Sequence, residues 1–378
     1  MDIDDAMNGE EGLSSEDVMY ILWSEMDEGS SRSAVGDMID TGVEFEDKEE
    51  FISEVTDRII ENLLQEYASD FNNFLSAARD YMWRERGYRQ GFEYRLYQRW
   101  QYPLDLLEIL IHISLRIGSG INARHRRSAA EDDDYQFDAL MRLHSRACQT
   151  SYEILELLKG GFADGAYARW RSLHESAVIS LFLAQHDQET AERFLLYSTV
   201  ENYYEMEAYD EYSDELGYEP LSDEMMDEIE ENYEALSDRF GSSFTGFYGW
   251  AVHQFSGGSV GFVDIEEEVG LDYLRPHYKA ASNWNVHVGS KGMQHRMGML
   301  DDEQDDQLLL SGPSNYGLAD PGQCTAISLC QVTELLADFD IDRQFSLLFD
   351  IMERLEGEIA TSFVASQNQI KAEEGVDE

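Results

Sequence analysis

The sequence predicts an all-α protein, built as an irregular helical bundle with an N-terminal helical subdomain. The chain has 378 residues but only five prolines. Apolar and polar residues almost nowhere alternate, as they do in half-buried strands. Apolar residues instead recur three and four positions apart, which is the spacing of one face of an α-helix.

The helical period is clearest near the two ends of the chain. Apolar residues recur at this spacing from Phe51 to Phe74, and again from Phe345 to Phe363. Pro103 is expected to open a helix that the GSG sequence at 118–120 ends, because glycine commonly follows a helix C terminus. Between these segments, further helices are predicted at 138–159, 163–186, 188–216, 221–241 (with Ser222 as its N-cap) and 273–287.

Loop-like composition suggests the domain boundaries. The stretch RHRRSAAEDDDYQ at 124–136 has few apolar residues and marks the expected boundary. The predicted parts are an acidic, partly disordered segment at 1–45, an N-terminal helical subdomain at 46–125, a main helical domain at 137–365 and a disordered tail at 366–378.

The composition is strongly acidic. Asp and Glu total 78 against 27 Lys and Arg, and the formal net charge is −51. Charge of this size destabilises a compact state by self-repulsion, and salt screens that repulsion. Because the acids are spread through almost every segment, we expect a protein of an extreme halophile. If the negative charge is an adaptation to high salt, it does not argue against an anionic partner, because molar salt screens the repulsion.

Cysteine usage and hydropathy indicate the compartment. Cys148, Cys324 and Cys330 are an odd number without a C-x-x-C pair, which favours a reducing compartment over disulfides or structural zinc. The N-terminal MDIDDAMNGEEG lacks the features of a signal peptide. The most apolar run, at 104–118, is too short and too charged to span a membrane. We therefore expect a cytoplasmic protein without membrane attachment.

Three stretches resemble a bacterial and archaeal family of unknown function, numbered 5677. They are LHSRACQTSYEILELLKGGFADGAYARWRSLHESAVISLFL (143–183), FYGWA (247–251) and YKAASNWNVHVGSKG (278–292), which together cover most of 140–292. The resemblance implies a wholly helical fold and supplies no activity. With its acidic composition, this chain would be a haloarchaeal-type member. The resemblance also implies a shared polar core at Arg171, Glu175, Ser282 and His287.

The helix predicted at 163–186 carries the candidate site. At about 100° per residue, an arginine, a histidine and a glutamate share one broad stripe with core residues. Unpaired burial of such groups costs several kcal/mol, so we expect them to meet each other or the polar residues of 278–287. The candidate set is Arg171, His174, Glu175, Ser282 and His287.

Two functions remain open for this set. It is either a structural polar cluster that fixes helix register in a protein with an interaction role, or a catalytic site in which histidine transfers protons and arginine stabilises a phosphate. Arg169 and His174 also fit the R-x4-H pattern of HEPN-type helical ribonucleases. That resemblance implies RNA cleavage, usually at a homodimer interface, in phage defence or stress. A metal site made of His174, Glu175 and His287 is the third and least favoured alternative, because adjacent His174 and Glu175 are poorly spaced as ligands on one helix. No metal or cofactor is expected.

An arginine-rich stretch suggests a nucleic-acid surface. Residues 79–127 contain ten arginines and five acidic residues, and WRERGYRQGFEYRLYQRW at 83–100 interleaves arginines with aromatic residues. Guanidinium groups contact phosphates, and aromatic rings stack on bases. Alternatively, the arginines pair with acidic helices and the aromatic residues belong to the core. The candidate nucleic-acid-binding residues are Arg84, Arg86, Arg89, Arg95, Arg99 and Trp100.

Overall fold

The computed structural model describes residues 71–287, 289–294, 296–299 and 309–374. Within these residues the chain is helical and contains no strand, which confirms the all-α class. The predicted 1–45 segment and the start of the helix predicted from Phe51 lie outside the described residues. The chain divides into two units between Phe92 and Glu93. The predicted subdomains at 46–125 and 137–365 stay a prediction, because residues 46–70 are not described.

Eleven α-helices follow one another in the described part of the chain, with short 3₁₀- or π-helical turns between some of them. They are α1 (Phe71–Glu131), α2 (Tyr135–Lys159), α3 (Ala163–Gln185), α4 (Gln188–Leu196), α5 (Ser198–Leu216), α6 (Asp223–Phe240), α7 (Phe262–Glu268), α8 (Arg275–Ala280), α9 (Ser290–Gln294), α10 (Ala319–Glu334) and α11 (Ser346–Glu373).

Helix α1 continues through both sites where a break was predicted. Pro103 lies inside it, and Gly118 and Gly120 do not end it. A Cβ atom on Gly118 would overlap the imidazole of His144, and one on Gly120 would overlap the ring of Phe345. These glycines therefore serve close packing of α1 in the second unit, and the expectation of a helix end at 118–120 was wrong.

The segment at 124–136 is also mostly helical. Helix α1 runs to Glu131, and a short turn leads to α2, which Asp134 caps by accepting a hydrogen bond from the backbone N–H of Phe137 at 3.0 Å. Charged residues at the end of a helix resemble a loop in composition, which explains the misassignment. Near the C terminus, α11 reaches Glu373, so the first part of the tail predicted as disordered at 366–378 is helical.

Helix α3 is central to the second unit. It packs against α2, α10, α7 and a π-helical turn at Ala281–Val286. Trp170, Leu173 and Phe182 on α3 are fully buried. Because α3 is surrounded on several sides, any polar residue on its inner faces must find a partner within the protein.

Helices α5 and α6 are rich in Asp and Glu. Ser222 caps α6 by accepting a hydrogen bond from the backbone N–H of Met225, as predicted. Gly217 ends α5 with φ of 68°, in the left-handed region that favours glycine. No residue of α6 is buried.

No helix in the part of the chain that the structure describes has both the length and the apolar character needed to cross a bilayer.

Candidate functional site

A His–Glu–Arg triad links α3 to α7 and α8; its imidazole and carboxylate are buried, and its guanidinium group, on Arg275, is 20% exposed. Nε2 of His174 lies 2.8 Å from Oε1 of Glu266, and the two side chains are 0% and 1% exposed. The second carboxylate oxygen of Glu266 accepts a hydrogen bond of 2.7 Å from Nε of Arg275. Both oxygens of the buried acid are thus satisfied, one by an imidazole and one by a guanidinium group.

The protonation state of His174 follows from this geometry. Burial lowers the pKa of His174, and the hydrogen bond that the ring makes to Glu266 offsets this in part. An ionised carboxylate only accepts hydrogen bonds, so Nε2 of the neutral ring carries the proton and donates a hydrogen bond to Glu266. The buried Nδ1 has no hydrogen-bond partner among the described residues. Arg275 then supplies the positive charge that balances the carboxylate.

A second cluster lies half-exposed on the same helix. Nε of Arg171 donates hydrogen bonds of 3.0 Å to Oε1 of Glu175 and to the hydroxyl of Tyr278. The Tyr278 hydroxyl donates in turn to Glu175 at 2.6 Å. The guanidinium carbon of Arg171 lies 5.0 Å from the centre of the Tyr278 ring. Arg171 is therefore held by a carboxylate, a phenol and a ring face together.

Tyrosine hydroxyls beside this cluster keep their protons. Burial raises the pKa of Tyr278, and the hydrogen bond to Glu175 raises it further. Burial and the charge of Glu175 raise the pKa of Tyr248 to about 12. Tyr248 has φ of 53°, an uncommon backbone conformation for a bulky residue. Both phenols are hydrogen-bond donors at ordinary pH.

The remaining residues of the predicted set lie on the π-helical turn and at its end. Ser282 is buried, and its hydroxyl donates to the backbone oxygen of Tyr278 at 2.8 Å. His287 is exposed, and its backbone N–H donates to the oxygen of Ser282 at 2.8 Å. Among the described contacts, the His287 imidazole makes none with Arg171, Glu175 or His174. Sequence reasoning thus placed Arg171 and Glu175 together, but it missed the partners Glu266 and Arg275.

The two residues of the R-x4-H pattern face different helices. Arg169 pairs with Glu153 on α2 and lies 3.3 Å from Thr150 on the same helix. His174 faces α7. The described part of the chain therefore does not combine the two side chains in one pocket.

The predicted nucleic-acid residues divide into buried, paired and exposed members. Trp100 is fully buried and its indole donates to the backbone oxygen of Asn315 at 3.0 Å, so it is unavailable for stacking on a base. Arg99 pairs with Glu374 at 2.7 Å, whereas Arg95 is exposed.

In the first unit, Arg84, Arg86 and Arg89 are exposed. The aromatic residues among them are exposed as well, with Trp83 at 65% and Tyr88 at 70%. The guanidinium carbon of Arg86 lies 5.8 Å from the centre of the Trp83 ring. Solvent-facing rings and guanidinium groups therefore alternate along this part of α1.

The fold and the site define a class of protein. It is all-helical, and its central helix α3 contributes residues both to a His–Glu–Arg triad and to a half-exposed Arg–Glu–Tyr cluster. Residues 137–305 match the family described as "Family of unknown function (DUF5677)". The matched region includes every residue of both clusters, and it agrees with the resemblance in the sequence. No curated protein and no solved structure matches the chain. Within the described residues, no group of three or more His, Cys, Asp or Glu side chains is placed to hold a metal ion.

Proposed function

We propose that this chain is an interaction protein of a halophile's cytoplasm, in which the His174 triad is structural and an exposed part of α1 binds single-stranded nucleic acid. The binding part, here called the α1 surface, consists of Tyr81, Trp83, Arg84, Arg86 and Tyr88. The observation that carries the proposal is the contrast between the fully buried imidazole of His174 and the solvent-facing rings of Trp83 and Tyr88.

Burial argues for a structural triad. A general acid or base must reach the substrate within hydrogen-bond distance, directly or through one water. His174 donates its only N–H to Glu266, and its side chain has no exposed surface. The triad instead fastens α7 and α8 to α3, because breaking it would leave a charge buried without a partner.

The chemistry of the α1 surface suits single-stranded nucleic acid. Stacking of a base on an aromatic ring contributes about 1–3 kcal/mol and does not depend strongly on sequence. Arginines beside the rings supply phosphate contacts. At molar salt the contribution of counterion release is small, so stacking dominates the affinity. Unpaired bases should therefore bind better than a duplex, whose bases are already stacked.

The habitat and compartment rest on composition. A net charge of −51 is tolerable where salt screens repulsion over a few Å. The three cysteines are free and buried, as suits a reducing cytoplasm.

Binding to a labelled single-stranded oligouridine of about 12 nucleotides, followed by fluorescence anisotropy in molar KCl, tests the proposal. The double variant Trp83→Ala/Tyr88→Ala should raise the dissociation constant by about tenfold or more. The matched control, Tyr212→Ala/Tyr218→Ala, removes two exposed rings from the acidic α5–α6 region and should leave it unchanged. Equal binding by both variants, or equal binding of a duplex, contradicts the proposal.

A HEPN-like homodimeric nuclease in phage defence or stress is the second candidate. Burial of His174 argues against catalysis by the R-x4-H pair, so this candidate depends on His287, whose exposure is the observation that favours it. It predicts that the wild type cleaves RNA and that His287→Ala abolishes cleavage while leaving unfolding unchanged. Light scattering would then give the mass of a dimer. Intact RNA after long incubation with the wild type excludes this candidate.

A further inference from the structure

A cavity of about 610 Å³ opens between α1 and α2 in the second unit, and no residue of the two clusters on α3 lines it. Its volume is in the range of small-molecule sites, which are about 300–1,000 Å³. Six of its nine lining residues have polar side chains. They are Ser119, Asn122 and Arg126 from α1, and Arg142, His144 and Ser145 from α2.

The mouth of this cavity carries more positive than negative charge. Arg126 and Arg142 both pair with the single carboxylate of Asp138, Arg142 through its Nε at 2.9 Å. The two guanidinium groups lower the pKa of Asp138, against the effect of its burial. Two cations shared by one anion leave one positive charge in excess. A local excess of this sign is unusual in a chain with a net charge of −51.

The two arginines still have donors to offer. Asp138 and Asn122 occupy Nη1 and Nε of Arg126, and Asp138 occupies Nε of Arg142. Among the described contacts, the terminal nitrogens of Arg142 and Nη2 of Arg126 bind nothing else. Guanidinium groups pair well with carboxylate and phosphate groups, because their parallel N–H bonds match the two oxygens.

A buried histidine lies at the floor of the cavity. His144 is 2% exposed, and its described polar partner is the thiol of Cys148, with ring nitrogen to sulfur distances of 3.7 and 3.9 Å. A thiol is a weak hydrogen-bond partner. Burial lowers the pKa of His144 to about 4, so the ring is neutral and presents one N–H. Gly118 leaves the space that this ring occupies.

We propose that the α1–α2 cavity binds a small organic anion, whose phosphate or carboxylate group lies between Arg126 and Arg142 and whose body extends toward His144. One excess positive charge suits one anionic group. The buried imidazole supplies a polar contact deeper in the cavity, and Ser119 and Ser145 supply hydroxyl groups at the sides. This site is independent of the α1 surface and of the His174 triad.

Histidine-detected NMR of the full chain in molar KCl tests the site directly. The Cε1–H resonance of His144 is assigned by its loss in His144→Gln, and the protein is titrated with AMP, succinate and inorganic phosphate. AMP or succinate should shift this resonance saturably. AMP carries a phosphate group on an organic molecule, and succinate carries carboxylate groups on one. Inorganic phosphate is the anionic group without an organic part.

Two arginine variants separate the site from general charge attraction. Arg142→Gln should weaken binding about tenfold, because it removes a charged hydrogen-bond donor. Arg127→Gln is the control, since Arg127 is 91% exposed, pairs with Glu131 and does not line the cavity. Binding should be unchanged in this variant, and thermal unfolding of both variants checks that they are folded.

Three outcomes overturn the proposal. The first is that neither AMP nor succinate shifts the His144 resonance. The second is that bare phosphate binds as tightly as both organic probes, which would make the body of the ligand irrelevant. The third is that Arg127→Gln weakens binding as much as Arg142→Gln does. Failure of nucleic-acid binding at the α1 surface would leave all these results unaffected.

Discussion

The imidazole of His174 lies 2.8 Å from the carboxylate of Glu266, and both side chains are shielded from solvent. An ionised carboxylate in such a position is very unfavourable unless a cation and hydrogen bonds balance it. Arg275 is that cation, at 2.7 Å. The contact therefore holds α7 and α8 on α3 and positions Tyr278, which in turn holds Arg171.

Replacing Glu266 should destabilise the protein strongly. In Glu266→Gln, the neutral amide cannot accept hydrogen bonds from both His174 and Arg275, because its N–H group faces one of these two donors, and the expected loss is about 1–3 kcal/mol of unfolding free energy. Glu267→Gln is a matched control, because Glu267 also pairs with Arg275 at 2.7 Å but is 56% exposed. Its loss should stay below about 1 kcal/mol. Urea unfolding at fixed molar KCl measures both, and equal losses would show that the triad is not a buried ion pair.

Stability should decrease as the medium becomes mildly acidic. Burial lowers the pKa of His144 from 6.5 to about 4, and burial lowers the pKa of His174 as well. Below pH 6.5 the unfolded chain binds protons at these histidines while the folded chain does not, so unfolding becomes easier as the pH falls.

For His144 the effect is about 2 kcal/mol between roughly pH 6.5 and pH 5. The variant His144→Gln lacks this contribution, so its unfolding free energy should fall less over the same interval. Urea titrations at several pH values give both slopes. Parallel slopes for the wild type and the variant would mean that His144 is protonated within the folded protein.

Two glycines of α1 should respond in opposite ways to alanine. Gly118→Ala should destabilise by about 1–3 kcal/mol, because its methyl group overlaps the His144 ring in a packed region. A Cβ on Gly87 meets no atom within 4 Å, and Gly87→Ala should stabilise helix α1 by up to about 1 kcal/mol. Circular dichroism during thermal unfolding compares the two variants. Stabilisation by both would show that packing does not require Gly118.

Local sequence patterns predicted the positions of most helices. The predictions that failed depended on contacts between residues far apart in the sequence. Helical spacing is visible within a few residues, so α3 and the Arg171–Glu175 pair follow from the sequence alone. Gly118 and Gly120 lie within a helix because their missing side chains leave room for the rings of His144 and Phe345, which lie outside α1. A helical glycine costs about 1 kcal/mol, and close packing outweighs that cost here.

The residues of the candidate site were also only partly predictable from local sequence. Glu266 carries no distinguishing signal in a chain with 78 acidic residues, since only the approach of His174 and Arg275 makes it special. Trp83 and Trp100 occur in one arginine-rich stretch, yet one is exposed and the other donates to the backbone oxygen of Asn315. Composition does not reveal which face of a helix another part of the chain covers.

The acidic surface of α6 should make stability depend on salt. Glu228, Glu231 and Glu234 are exposed and lie three residues apart, at a spacing where like charges destabilise a helix by about 0.2–0.5 kcal/mol per pair. Replacing all three with Gln should raise the unfolding free energy by about 1 kcal/mol at about 0.1 M KCl. The gain should vanish near 1 M KCl, because the screening length falls from about 10 Å to about 3 Å.

A second triple variant separates local repulsion from total charge. Glu131, Glu189 and Glu267 each pair with an arginine, so replacing them with Gln removes the same number of negative charges without relieving an unpaired cluster. Local repulsion predicts that this variant is no more stable than the wild type at low salt. If urea unfolding shows that both triple variants gain the same unfolding free energy at low salt, the total charge sets the salt dependence of stability. The spacing of acidic residues along α6 then has no effect.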